Sequence, residues 1–376
     1  MQEEIAPSEE RHVPKAERVV SVDVLRGFDM FWIVGGGALV EALSKLGDNP
    51  VLRFAVFQLS HCEWEGCVFY DVIFPLFVFM VGAAIVFSLG RMEEKAGMGA
   101  VYRRILRRTL LLFFLGLIYY GGVAQGWDHV RLLGVLQRIA LCYGVTAILF
   151  CTLSTRKLIA VFVGILLVYW AWLSFIPVPG LGKTSFAMGE NWPSYIDSQF
   201  LPLRRYNGTW DPEGIMSTLP AIGTCLLGVF AGLFIKNPKV PAEKKGYYFL
   251  AAAFACLVVG YLWGFQFPII KKIWTSSYVL VAGGYSLLLL AIFYQIIDVW
   301  KVRGWITPFL WIGSNALVVY MAWNLIDFEE IAARFAGGPI HDSLGAAGDL
   351  GVTAVSLAFV LLLARFLYNK KIFIRI

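Results

Sequence analysis

The chain has 376 residues, 59% of them hydrophobic, 15% aromatic and only 15% charged, where a soluble domain of this size would carry about a quarter charged residues. The apolar residues fall in long runs, so the composition excludes a water-soluble globular protein and predicts an all-α, polytopic membrane protein. The formal charge of +6 then reflects which loops hold Lys and Arg, and no nucleic-acid partner is expected.

Crossing a hydrocarbon core of about 30 Å takes roughly 20 apolar residues. Ten such runs are present, at about 24–46, 67–89, 105–124, 132–153, 158–176, 215–235, 247–267, 275–298, 305–324 and 350–368. One set of connections holds Arg11, Lys15, Arg18, Arg91, Lys95, Arg103, Arg104, Arg156, Lys157, four lysines from Lys236 to Lys245, Lys301, Arg303, Lys370, Lys371 and Arg375. Excess Lys and Arg mark cytoplasmic loops, which puts both termini in the cytoplasm. Residues 1–20 are then a cytoplasmic tail and 21–376 the transmembrane domain, with extracytoplasmic loops at 47–66, 177–214 and 325–349. Met1 to Val20 has no apolar segment followed by a small-residue cleavage site, so no cleavable signal is expected.

In chain order, the first span carries Arg26 and Asp29, three apart and so on one helix face, where an intrahelical ion pair is the plain reading. Gly35, Gly36 and Gly37 follow; they allow close approach of a ligand or, more simply, of another helix. The second span opens with His61, Glu63 and Glu65 and then buries Asp71 and Pro75 in an apolar run. An intramembrane carboxylate is costly and marks a functional site by default, and a histidine beside it titrates near neutral pH. Asp71 either orients His61 or pairs with Arg138 to hold the second and fourth spans together. Cys62 and Cys67 flank this turn; a disulfide between them is disfavoured if the residues between are helical. No Cys/His spacing resembles a metal site.

Arg103, Arg104, Arg107 and Arg108 open the third span at the cytoplasmic side. They suit a nucleotide phosphate and equally the ordinary positive-inside signal. Asp128 and Arg131 precede Gln137 and Arg138 at the far-side end of the fourth span. The loop 177–214 holds Asp197, Asp211, Glu213 and many aromatics, which suggests an ordered cap or interfacial anchoring. Asn315 lies inside the ninth span, and Pro75, Pro220 and Pro308 are expected near helix starts, where proline is tolerated. No internal repeat is visible.

These motifs resemble the transmembrane N-acetyltransferases typified by the lysosomal heparan-α-glucosaminide enzyme. The resemblance rests on Ser21-Val22-Asp23 with Arg26-Gly27, on His61, Trp64, Gly66, Asp71 and Phe74-Pro75, and on Arg108 before Leu111-Leu112-Phe113-Phe114. It continues through Trp127-Asp128-His129-Val130-Arg131, Gly134 to Arg138, Asp211 to Gly214, Trp274, Ser277-Tyr278 and Ser314-Asn315. Val34 and Trp323-Asn324 depart from the lysosomal pattern, which leaves the chemistry in place and opens the choice of acceptor.

The resemblance implies an acetyltransferase with acetyl-CoA as co-substrate and no metal. It moves an acetyl group from the cytoplasmic side to the amine of glucosamine or a terminal amino sugar outside, in a bacterial inner membrane. His61 is the implied catalytic residue, as base or as carrier of the acetyl group, with Asp71 beside it. Arg26, Gly35, Gly36, Gly37, Arg108 and Arg138 are the candidate donor-binding residues. Glu63, Asp128, Gln137, Asp211, Glu213 and Asn315 are candidates for the acceptor. The competing readings are an amino-sugar permease and an O-acyltransferase of a glycan or lipid; besides the bilayer, a homodimer is an open arrangement.

Overall fold

The computed structural model describes residues 19–124 and 126–373. Arg11, Lys15, Arg18, Arg375 and nearly all of the expected tail lie outside the described residues, as do the side chains of Arg91 and Lys95. The chain is an all-α multi-pass membrane protein, with 14 α-helices and no strand among the described residues. The helices are α1 (Val20–Ser44), α2 (Pro50–Leu59), α3 (Phe69–Tyr119), α4 (Val135–Thr152), α5 (Thr155–Phe175), α6 (Trp192–Phe200) and α7 (Ile215–Lys236). There follow α8 (Ala242–Gly264), α9 (Ser276–Phe293), α10 (Thr307–Ser314), α11 (Ala316–Leu325), α12 (Phe328–Ala336), α13 (Pro339–Leu344) and α14 (Gly348–Asn369).

Seven of the helical segments are long and apolar enough to cross a membrane. Six of them match expected spans to within about five residues, and the seventh, Pro339–Asn369, covers the expected 350–368 but begins well before it. The other three expected spans are helical but are interrupted by charge or by a break. The first, α1, carries Asp23, Arg26 and Asp29. The second, the C-terminal half of α3, opens with four arginines. The third is split into α10 and α11 at Asn315, whose φ of −133° and ψ of 35° leave the helical range. A further correction concerns the expected loop at 90–104: α3 runs through it for 51 residues and breaks only at Gly97, with φ 73° and ψ 171°. A residue without Cβ adopts that left-handed backbone at little cost.

Pro75 and Pro220 sit in the second turn of α3 and α7. A proline there has no N–H for the carbonyl four residues back. At Pro75 the orphaned acceptor is the carbonyl of Asp71, and the buried Tyr278 hydroxyl donates to it at 2.7 Å. The sequence thus frees one backbone acceptor inside the bundle and supplies a donor from α9 to fix it.

The helices meet through glycines, as expected where lipid removes the hydrophobic drive and close backbone contact takes its place. A Cβ on Gly82 would lie 1.9 Å from the Cys225 carbonyl oxygen, and one on Gly228 would lie 1.8 Å from that of Phe79, so α3 and α7 touch backbone to backbone. Gly27 and Gly313 do the same for α1 and α10. Gly228→Val should force these helices apart and cost about 1–3 kcal/mol. The check is the thermal midpoint of the purified protein in detergent; an unchanged midpoint would show that the contact is dispensable.

The segment 177–214 is an ordered cap. It contains α6, its Trp210 ring meets Trp64 edge-on at 5.7 Å, and the Phe186 carbonyl accepts from Trp64 Nε1 at 2.8 Å. It therefore packs directly on the turn that carries His61.

Candidate active site

His61 stands in the turn between α2 and α3, and Asp71 is the third residue of α3. Asp71 is fully buried, and its carboxylate serves as the cap of its own helix: Oδ2 accepts from the backbone N–H of Cys62 at 3.2 Å and of Val68 at 3.3 Å. The other oxygen, Oδ1, accepts from His61 Nδ1 at 2.9 Å. With Nδ1 donating to the carboxylate, the neutral ring keeps its lone pair on Nε2. The His61 side chain is 53% exposed and that of Asp71 1%; one partner is open to the surroundings, and the other is anchored in the bundle.

Three further features fix the pair. The Tyr70 ring stacks on His61 with centroids 4.7 Å apart. A Cβ on Gly36 would stand 2.4 Å from the Tyr70 ring, so this glycine makes room for the aromatic that braces the histidine. The His61 turn is also pinned to the 265–275 connection: Gly66 N–H donates to the Ile269 carbonyl at 2.8 Å, Glu65 pairs with Ile270, and Lys272 Nζ donates to the Glu63 carbonyl at 2.7 Å. Residues 61–68 are therefore irregular rather than helical. Cys62 and Cys67 are nonetheless free, and burial raises the pKa of both thiols, Cys67 to about 12, so neither is a ready nucleophile.

A cavity of about 550 Å³ runs beside α1 from Val19 to Ile33, a length of about 21 Å at 1.5 Å per residue. Arg26, Arg104 and Arg108 line it together with Asp23, and its walls are apolar, with Met30, Phe74, Phe77 and Met80 among them. Gly313, Ser314 and Ala316, on both sides of the α10–α11 break, form another wall. Arg26 donates to the Gly313 carbonyl and to Asp23 at 2.8 and 2.9 Å, which corrects the expected pairing with Asp29. Asp29 is fully buried, and neither of its oxygens has a hydrogen-bond partner among the described residues. Arg108 lies 4.4 Å over the Tyr143 ring, and its Nε has no hydrogen-bond partner among the described residues. The Phe74 end of the cavity is one helical turn from Asp71, although His61 and Asp71 themselves do not line it.

The other expected residues divide. Of the candidate donor residues, Arg26 and Arg108 line the cavity, whereas Gly35, Gly36, Gly37 and Arg138 do not. Gly35 packs against Leu357, and a Cβ on Gly37 would meet nothing within 4 Å. Arg138 is buried; its guanidinium lies 4.8 Å over the Trp274 ring and bonds the Pro212 carbonyl and Ser217. It ties α4 to α7, so the alternative pairing of Asp71 with Arg138 is not made.

Asp211 and Glu213 hold Arg131 through contacts of 2.6–2.8 Å between the Tyr120 and Tyr206 rings. Burial works against the Arg131 charge, but these carboxylates hold its pKa above the ordinary value. Asp197 accepts from the Ile215 and Asp211 N–H groups at the start of α7, and burial raises its pKa to about 6. Gln137 is buried against Gly116, Asn315 sits at the break beside the cavity wall, and Glu63 and Asp128 are exposed.

Sequence reasoning missed Lys271, Tyr70 and Tyr278 as members of the site. Lys271 Nζ lies 3.2 Å from Asp71 Oδ1 and 3.1 Å from His61 Nδ1. Its only sequence signal was a pair of lysines, Lys271 and Lys272, in a short connection on the side otherwise poor in basic residues.

No family model matches the chain. It is 27% identical to the heparan-α-glucosaminide N-acetyltransferase of Homo sapiens and 28% identical to that of Mus musculus, in each case over 96% of its own length. It spans about three fifths of the length of these curated relatives, 60% and 61%. The chain is a distant relative of the heparan-α-glucosaminide N-acetyltransferases, the family to which its motifs point.

Proposed function

We propose that this chain is a transmembrane N-acetyltransferase that takes an acetyl group from acetyl-CoA on the cytoplasmic side and transfers it to an amino-sugar amine on the outer face, in a bacterial inner membrane. One observation carries the reading: an imidazole–carboxylate pair lies one helical turn beyond the end of a cavity lined elsewhere by three arginines. Arginine forks recognise phosphate oxygens, and apolar walls suit an uncharged thioester arm. The residues present therefore fit a CoA thioester lying along α1, with its nucleotide at Arg26, Arg104 and Arg108 and its acyl end toward Phe74.

In the reaction, the neutral acceptor amine attacks the thioester carbonyl; an N–C bond forms and the C–S bond breaks. The amine proton passes to His61 Nε2, and CoA departs as the thiolate. Asp71 keeps the ring turned and stabilises the imidazolium that forms. General base catalysis needs the base within hydrogen-bond reach of the amine, and the half-exposed His61 leaves Nε2 free of the Asp71 contact made by Nδ1.

The test is transfer of labelled acetyl from acetyl-CoA to glucosamine by the purified protein in proteoliposomes, beside a glycan that offers only hydroxyls. Acetylation of the amine alone is the expected result; labelled hydroxyl product alone would make this an O-acyltransferase. Arg108→Ala should raise the acetyl-CoA KM roughly 10- to 100-fold, because a hydrogen bond to a charged group is worth about 1.5–3 kcal/mol. An unchanged KM would place the nucleotide elsewhere.

A further inference from the structure

Lys271 sits where an ordinary surface lysine would not. Its side chain is 20% exposed, and its Nζ is within 3.2 Å of the Asp71 carboxylate and within 3.1 Å of the His61 ring. The connection that carries it is rigid. Thr275 N–H donates to the Ile270 carbonyl, Ile270 N–H donates to Thr275 Oγ1 at 3.0 Å, and the Tyr169 hydroxyl donates to the Ile273 carbonyl at 2.6 Å. Trp274, with φ 53°, is buried and donates from Nε1 to Thr224. The ammonium is therefore delivered to the site by a fixed turn and does not wander in from solvent.

We infer that Lys271 is a positioning residue of this site: its ammonium neutralises Asp71, so the carboxylate can hold the His61 imidazole in place while the ring stays uncharged and able to accept a proton on Nε2. The inference rests on the reading of His61 as a base. A carboxylate alone beside a histidine favours the charged ring and raises its pKa; a cation beside it does the reverse. With both present the orienting hydrogen bond survives, and the two charges offset. Such an arrangement suits a base that must begin each cycle neutral.

The other titratable groups near the pair do not upset this balance. On the His61 turn, the Cys62 and Cys67 thiols have raised pKa values and remain uncharged, while Glu63 and Glu65 are exposed. From the 265–275 connection, Lys272 is engaged with the Glu63 carbonyl. From the segment before α7, Glu213 acts on Lys271 from a distance, being itself bonded to Arg131. Tyr278, from α9, bonds the Asp71 backbone through a neutral hydroxyl. Burial pulls the Lys271 pKa down from its ordinary value, with Asp71 opposing the fall.

The experiment reads the protonation of His61 directly. The rate of His61 modification by diethyl pyrocarbonate, followed by peptide mass spectrometry against pH, gives the midpoint for the free ring in the full-length protein in detergent. Lys271→Met should raise that midpoint by about one unit or more, and Lys271→Arg should return it close to wild type. Asp71→Asn, which leaves the cation alone, should lower it. The acid limb of acetyl transfer should move with the midpoint in the lysine variants, whereas a merely structural lysine would lower activity equally at every pH. A midpoint unmoved in Lys271→Met, or raised in Asp71→Asn, would overturn the inference. The modification assay needs no acetyl transfer, so a protein that failed to acetylate glucosamine would contradict the proposed function and leave this result readable.

Discussion

His61→Ala should give a folded protein that still binds CoA and turns over about 10²- to 10⁴-fold more slowly, the range a positioned general base typically supplies. The fold should tolerate the change because the side chain is half exposed and its main contacts are the Asp71 hydrogen bond, the neighbouring Lys271 ammonium and one ring stack. The turn itself is held by backbone pairing to the 269–272 strip and by Trp64 against the cap, none of which involves the imidazole. Thermal stabilisation by CoA serves as the control that the arginine end of the cavity is intact. The His61 side chain is half exposed, so added imidazole should restore part of the lost rate. Turnover near that of the unaltered protein, with the CoA shift preserved, would remove His61 from the mechanism.

What was legible in the sequence follows from which interactions are local. Apolar runs of about 20 residues report the bilayer directly, and all ten expected segments are helical. The breaks were harder. Gly97 ends one half of α3 by a single backbone conformation, and nothing in a run of charged and small residues distinguishes a loop from a helix bent at one glycine. The split at Asn315 is equally silent, since Ser314-Asn315 inside an apolar run reads as one span.

For the candidate site, the contact between His61 and Asp71 was readable because both lie on one short stretch and because an intramembrane carboxylate stands out. Their third neighbour was not. Lys271 is 200 residues from Asp71 along the chain, and only the pairing of two connections brings it in. The glycine run shows a related limit. Glycines 35 to 37 signalled close approach, and Gly36 does allow one, but by the Tyr70 ring rather than by a ligand. Sequence gives the space; the occupant is a tertiary fact. The acidic residues show the same limit: Asp211 and Glu213 look available in sequence, and the fold places Arg131 between them.

Asp71→Asn should lose kcat by orders of magnitude while costing only modest stability. The substitution keeps the shape and removes the charge. Asparagine offers one acceptor oxygen and one NH2 group where the carboxylate offers two acceptors, yet four donors converge on this side chain: His61 Nδ1, Lys271 Nζ and the backbone N–H groups of Cys62 and Val68. If the oxygen keeps the two backbone N–H groups, the NH2 faces His61 Nδ1 and forces that nitrogen to accept. The ring proton then moves to Nε2, and the ring can no longer take a proton from the amine on that side. The same change of tautomer costs about 10⁴ in kcat in a serine-hydrolase triad, and a loss of 10²- to 10⁴-fold is expected here. The stability cost should be smaller, because loss of a charge in the first turn of a helix is worth about 0.3–1 kcal/mol and Tyr278 still holds the Asp71 backbone carbonyl. Arg138, which would have been stranded had it paired with Asp71, keeps its partners Pro212, Ser217 and Trp274. The measurements are kcat at saturating acetyl-CoA and the thermal midpoint on the same preparation. A large fall in midpoint with activity per folded molecule retained would make Asp71 a structural cap alone, and a stable variant with full activity would remove it from both roles.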